Sequence, residues 1–190
     1  LSNRFTDDSM LDMGQIAPHG CFVHLYFNGN YRGQYHVRER WAAAMLASYF
    51  PGSEEEFDTI NANNAGREFL TGESQDGDLI EWNQIRSSLT GNNPYDDVKD
   101  LLDVGNLIDF MLLWTGGQSE SEFRAGGSSA NNIGFKFMIK DADGFLRNSI
   151  YDVTHNGPLN AMTRFRNEGN SDFNILLADR AHKHLFNDGA

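Results

Sequence analysis

At 190 residues the chain is long enough for one domain and too short for two comfortable ones; a domain of that size buries roughly 70% of the surface its unfolded chain exposes. Fifteen basic against 27 acidic side chains leave a formal charge of −12, which argues against nonspecific binding to nucleic acid or anionic membranes, because clustered Lys and Arg recruit phosphates. The single cysteine, Cys21, excludes an intrachain disulfide and a cysteine-rich zinc site.

An apolar share of 39%, with 14 phenylalanines, suits a packed globular protein and not a disordered one. Neither a signal peptide nor a run of eighteen apolar residues is present, so no membrane insertion by this segment is expected. The chain opens at "LSNRF" without a methionine and closes at "FNDGA"; the expectation is a piece of a longer protein.

"LSNRFTDDSML" reads as a capped helix start. In "CFVHLYFNGNYRGQYHVRER" two alternating aromatic and β-branched runs flank Asn28-Gly29, a pair that accepts positive φ, so a hairpin with strands near 21–27 and 31–38 is predicted. Cys21 lies in the apolar first run and is expected to be a buried small hydrophobe. "RWAAAMLASYF" has apolar spacing of three and four and predicts a helix stopped by Pro51-Gly52. "EFDTINAN" can form a short strand, and 61–77 reads as a loop. Asp78 is placed to cap a helix through "LIEWNQIRSSL".

"NPYDDVKDLLDVGNLIDFMLLW" predicts two helices or one bent one, its second half apolar all round and therefore central. The stretch "TGGQSESEFRAGGSSANN" is too rich in glycine and serine to be the interior of a helix or strand throughout. A strand "GFKFMIK" follows, and "NSDFNILLADRAHKHLF" predicts a final helix capped by Ser171. These elements make the fold α+β, a small hairpin-containing β portion over 1–60 and a mainly helical portion over 61–190.

Chemistry concentrates in two places. Asp141 and Asp143, two apart in "KDADGF", face one side if the strand persists. Carboxylates about 4 Å apart repel by roughly 4 kcal/mol at an effective dielectric near 20, and a bound cation reverses that sign. An EF-hand fails on spacing, because isoleucines (Ile139 and Ile150) would stand where the loop needs its first and twelfth oxygen ligands. A metal site and a solvated Asp-Gly turn both remain open. "SESEFR" sets Glu120, Glu122 and Arg124 on one face of an extended segment; the two carboxylates are general-base candidates and Arg124 would keep them ionised or bind a phosphate, the alternative being a solvated charged loop. His182 and His184, two apart on a helix, cannot form a His-x3-His metal pair, and His19, His24, His36 and His155 are isolated, which favours structural roles. No nucleophile elbow and no Walker phosphate loop is found.

Taken in order and spacing, "LYFNGNYRGQYHVRER", "LLDVGNLIDFMLLW", "TGGQSESEFR" and "GFKFMIKDADGF" resemble the spore coat protein H (CotH) kinase family across nearly the whole chain. The resemblance implies one atypical protein-kinase-like domain over 1–190, missing its first strands, with the β portion and helical lobe enclosing ATP and Mg²⁺ or Mn²⁺. It implies phosphoryl transfer to a Ser or Thr of a partner protein, where catalysis is mostly positioning and charge neutralisation. By position, Asp141 and Asp143 match the family's metal-holding W-D-x-D element and Glu120 its catalytic-loop aspartate. Glu39, which closes the hairpin pattern, belongs to the β-lobe ion pair or the nucleotide pocket. The family's occurrence in exported proteins implies an extracellular or cell-surface location.

The chain departs from that pattern. Lys140 replaces the tryptophan, Glu120 is one methylene longer than aspartate, and Arg124 or Ala125 stands where an asparagine is expected. The phosphate-contacting lysine of such folds lies on an earlier strand. These departures keep a second reading in view: a catalytically degenerate scaffold, or a structural module of a large secreted or cell-surface protein.

Overall fold

In the computed structural model, residues 2–62, 72–115, 123–140, 142 and 158–186 are described. The architecture is α+β: seven α-helices accompany two antiparallel sheets among these residues. Helix α1, Ser2–Asp12, precedes the hairpin of β1, Gly20–Phe27, and β2, Asn30–Arg38. Asn28 (φ 50°) and Gly29 (φ 78°) make the turn, since a two-residue hairpin loop needs positive φ at both positions to match the strand twist. The pairing shifts register between Leu25 and Tyr26, leaving Arg32 as an extra residue on β2 beside Gly33 (φ 111°).

This ribbon lies outside the core. Phe22, Leu25, Tyr26, Phe27, Tyr31, Tyr35 and Val37 are all exposed, and so is Cys21. The expectation of a buried Cys21 is thereby corrected: apolar alternation marks a strand, and whether a face is covered depends on what packs there.

Helix α2, Ala43–Tyr49, and a 3₁₀ turn, Glu54–Glu56, lead into a second sheet. Its order is β4 (Glu73–Asp76), β3 (Asp58–Ala62), β5 (Phe123–Ser128) and β6 (Ile133–Ile139), antiparallel throughout. One expectation changes here: the loop foreseen over 61–77 contains β4. Within the glycine-rich stretch, residues 123–128 form an inner strand. "FRAGGS" works as a strand because its neighbours come too close for side chains. A Cβ on Gly127 would meet the Ile133 carbonyl at 2.8 Å and the Phe135 nitrogen at 2.9 Å. Small residues here are a packing requirement, not a loop signal.

The helices are α3 (Ile80–Ser88), α4 (Pro94–Val98), α5 (Val104–Trp114), α6 (Ala161–Glu168) and α7 (Ser171–Leu185). Helix α6 had no counterpart in the sequence reading. Asp78 does act at the head of α3, accepting from the Ile80 N–H at 2.7 Å. The cap of α7 is Asn170, not Ser171: its side chain accepts from the N–H groups of Asp172 and Phe173.

Helix α5 is central, as its all-round apolarity predicts. Phe110 stacks on Trp114 at 5.2 Å, and Phe110, Phe123, Phe137 and Trp82 interlock between helix and sheet. Fully buried Asn106 ties the two layers, its Oδ1 accepting from the Phe137 N–H at 2.6 Å. A smaller core of Trp41, Leu46, Phe57 and Met138 fills the other side of the sheet.

Candidate functional site

Of the residues singled out by sequence, Arg124 lies on the second sheet and Glu39 at the hairpin base. Phe123, the first residue of β5, pairs with Ile139, the last of β6. The strand end reached from Glu120 is therefore the neighbour of the strand end leading to Asp141. Glu120, Asp141 and Asp143 themselves lie outside the described residues. Between the two aspartates, Ala142 is buried, and its N–H donates to the Asn3 side-chain oxygen at 2.8 Å.

The next residue along α1 turns to the hairpin: Arg4 Nη1 donates to the Gly20 carbonyl at 2.7 Å. The first turn of α1 thus bridges the β6 exit and the hairpin base. Its charged side chains are matched there. Arg4 pairs with Asp8 at 2.5 Å and Arg38 with buried Asp7 at 3.2 Å. Burial pushes the Asp7 carboxyl up to about 6, against the pull of Arg38 and Arg4.

Glu39 sits where β2 ends. Its carboxylate accepts from the His19 N–H (2.8 Å) and from Tyr49 Oη (2.8 Å), with His19 Nδ1 3.2 Å away. Partial burial pushes this carboxyl up, but those hydrogen bonds outweigh it and hold Glu39 below the usual glutamate range. Among the described residues no lysine or arginine forms an ion pair with Glu39; its side-chain partners are His19 and Tyr49.

Arg124 lies on β5 opposite Met138 and Asn61. One guanidinium nitrogen donates to the Trp41 carbonyl at 3.3 Å, which Gln75 Nε2 also reaches at 2.7 Å. Arg124 therefore fastens the segment just after Glu39 to the sheet. Asp76, which the sequence reading left in a loop, completes this junction. Its Oδ2 accepts from the Ala43 N–H (3.0 Å) and Thr59 Oγ1 (2.6 Å), heading α2. No spacing motif marks Asp76; only the β3–β4 pairing brings it beside Thr59.

Among the described residues, no three His, Cys, Asp or Glu side chains converge as a metal group, and no helix is long and apolar enough to cross a membrane. A separate cleft of about 530 Å³ opens at the far end of β6, lined by Phe50, Tyr95, Lys99, Asp103 and Lys136 among others. Both lysines are engaged by carboxylates, Lys136 by Asp103 and Lys99 by Asp96, so this cleft offers an anion little.

No protein-family model matches the chain, and no curated protein matches it in sequence.

Proposed function

We propose that the chain is a divergent kinase-like domain of the CotH type, acting on ATP with Mg²⁺ or Mn²⁺ and transferring phosphoryl to Ser or Thr of a partner protein. The observation that carries this reading is the pairing of Phe123 with Ile139. It makes neighbours of the strand end that follows Glu120 in sequence and the strand end that precedes Asp141, and Asn3 and Arg4 link Ala142 to the hairpin base. The donor set also suits the ion, because Mg²⁺ and Mn²⁺ prefer carboxylate oxygens.

In this reading Asp141 and Asp143 hold the ion, which neutralises the polyphosphate charge when bound. Glu120 accepts the proton of the acceptor hydroxyl. Arg124 and Glu39 border the nucleotide, with Arg124 already fixed through Trp41 and Glu39 through His19 and Tyr49. Mn²⁺ with ATP is expected to raise the melting temperature, and Asp141→Ala to abolish that rise. Glu120→Gln is expected to stop γ-phosphate labelling of an acceptor protein while leaving nucleotide binding nearly intact. An unchanged thermal shift in Asp141→Ala removes that residue from the site.

The degenerate-scaffold reading draws on the sequence departures: Glu120 stands where the family has an aspartate, and Lys140 where it has a tryptophan. A domain of that kind binds nucleotide or metal, or neither, and labels nothing, so γ-phosphate labelling separates the readings.

A further inference from the structure

Strand β1 is an edge without the usual defences. Among the described residues its only strand neighbour is β2. The Glu39 N–H donates to the His19 carbonyl at 2.9 Å, and antiparallel alternation then turns the polar backbone of Cys21, Val23, Leu25 and Phe27 toward β2. The N–H and C=O groups of Gly20, Phe22, His24 and Tyr26 point the other way. Arg4 takes the Gly20 carbonyl, as that polarity requires. Along Phe22, His24 and Tyr26 no backbone partner occurs among the described residues.

Natural edges are guarded by charge, proline or a bulge. Strand β2 has Arg32, Arg38 and the irregularity at Arg32–Gly33. Strand β1, "GCFVHLYF", has no Asp, Glu, Lys, Arg or Pro, and a lone two-stranded ribbon is marginal in water. The charge distribution decides which partner suits this edge. The chain has 27 carboxylate side chains, yet none lies between Asp12 and Glu39. Two molecules of charge −12 repel across most of their surfaces and are least opposed here. The open groups are also symmetric about His24, so they complement themselves across a two-fold axis.

We propose that β1 pairs antiparallel with β1 of a second copy, with His24 opposite His24 and Phe22 opposite Tyr26 of that copy. The two ribbons become one four-stranded sheet, and exposed Leu25, Phe27, Tyr35 and Val37 join across the seam into a single apolar face. In this register Cys21 stands opposite Phe27 of the second copy in a non-hydrogen-bonded pair. The Cα separation of such a pair, about 4.5 Å, is within disulfide range.

Sedimentation equilibrium over a micromolar to millimolar series is expected to show a reversible dimer. His24→Pro removes an outward N–H and no backbone β1–β2 bond, losing besides it the His24 Nδ1–Tyr31 Oη contact (3.0 Å), and is expected to weaken association by about tenfold or more. Phe27→Cys, oxidised mildly, is expected to trap a covalent dimer through Cys21, whereas the wild type, with its two Cys21 residues far apart in this register, is not. A wild-type chain that stays monomeric throughout overturns the proposal. So does a dimer in which Phe27→Cys cross-links no more than wild type, a readout that holds even if His24→Pro misfolds.

Discussion

Arg180 of α7 lays its guanidinium on Asp109 of α5, with Nε 2.7 Å from Oδ1 and an Nη2 bond to Oδ2. Asp109 is wholly buried, and its Oδ2 also accepts from Gln15 Nε2 at 2.6 Å. The same arginine reaches the Met13 carbonyl at 3.4 Å. One buried carboxylate thus holds together the last helix, the central helix and the turn after α1.

Removing one half of that pair strands the other. Arg180→Ala is expected to cost about 3–5 kcal/mol in urea unfolding, because a desolvated carboxylate loses its counter-charge. Replacing both partners, as Asp109→Leu with Arg180→Met, is expected to cost far less, since well-packed apolar pairs replace buried ion pairs with little loss. A single-variant cost under about 1 kcal/mol, the range of an exposed pair, would show that the pair is solvated.

Asp7 predicts a pH dependence of definite sign. Its folded value, about 6, lies above the ordinary 3.8, because burial outweighs the attraction of Arg38 and Arg4. The folded state therefore holds the proton more tightly. Its stabilising contribution is complete below about 4 and is lost as pH rises through 6, a span worth on the order of 1–3 kcal/mol. Asp7→Asn is expected to be more stable than wild type at pH 7.5 and to lose that advantage by pH 4. Neighbouring His36, whose value burial and then Arg38 and Arg4 push down, has the opposite slope as pH falls below 6.5. It is common to both proteins, so the difference in melting temperature isolates Asp7. A difference that does not change with pH would count against this account.

The two inner-strand glycines differ in what surrounds them. At Gly126 an added Cβ meets the tip of the Leu46 side chain at 2.6 Å and the Asp58 carbonyl only at 3.1 Å, whereas at Gly127 it meets backbone of Ile133 and Phe135 below 3 Å. A side-chain tip can rotate away and a paired backbone cannot. Gly127→Ala is expected to destabilise by about 1–3 kcal/mol, and Gly126→Ala by clearly less. Chemical denaturation of the two variants checks the order, and a reversal would mean that the β5–β6 seam yields more readily than the α2 contact.

Much of the local structure was legible in the sequence. Asn28-Gly29 announced its hairpin because few pairs tolerate two positive φ angles, and the apolar run from Leu107 to Leu113 announced a central helix because no solvent face remained. The misses have physical causes. "FRAGGS" carries a loop composition but occupies a slot where Phe135, Ile133 and Leu46 leave no room for side chains. Cys21 shares its alternation with buried strands, and alternation alone does not say that a face is covered. Asn170 and Ser171 are both good caps, and the chain direction entering α7 selects Asn170. At the candidate site, the carboxylates were legible as residue types, while the fastening roles of Arg124 and Asp76 were not. Both depend on strand pairings between segments far apart in sequence.

By itself the sequence determined the hairpin and its turn, most of the helices and the central place of α5, all set by backbone sterics and short-range periodicity. Tertiary structure alone decided that the strand ends at Phe123 and Ile139 are neighbours, that Asp109 receives Arg180 across 71 positions, and that β1 has no strand beside it but β2 among the described residues. Those outcomes depend on which distant surfaces exclude water from one another, and no local pattern encodes that.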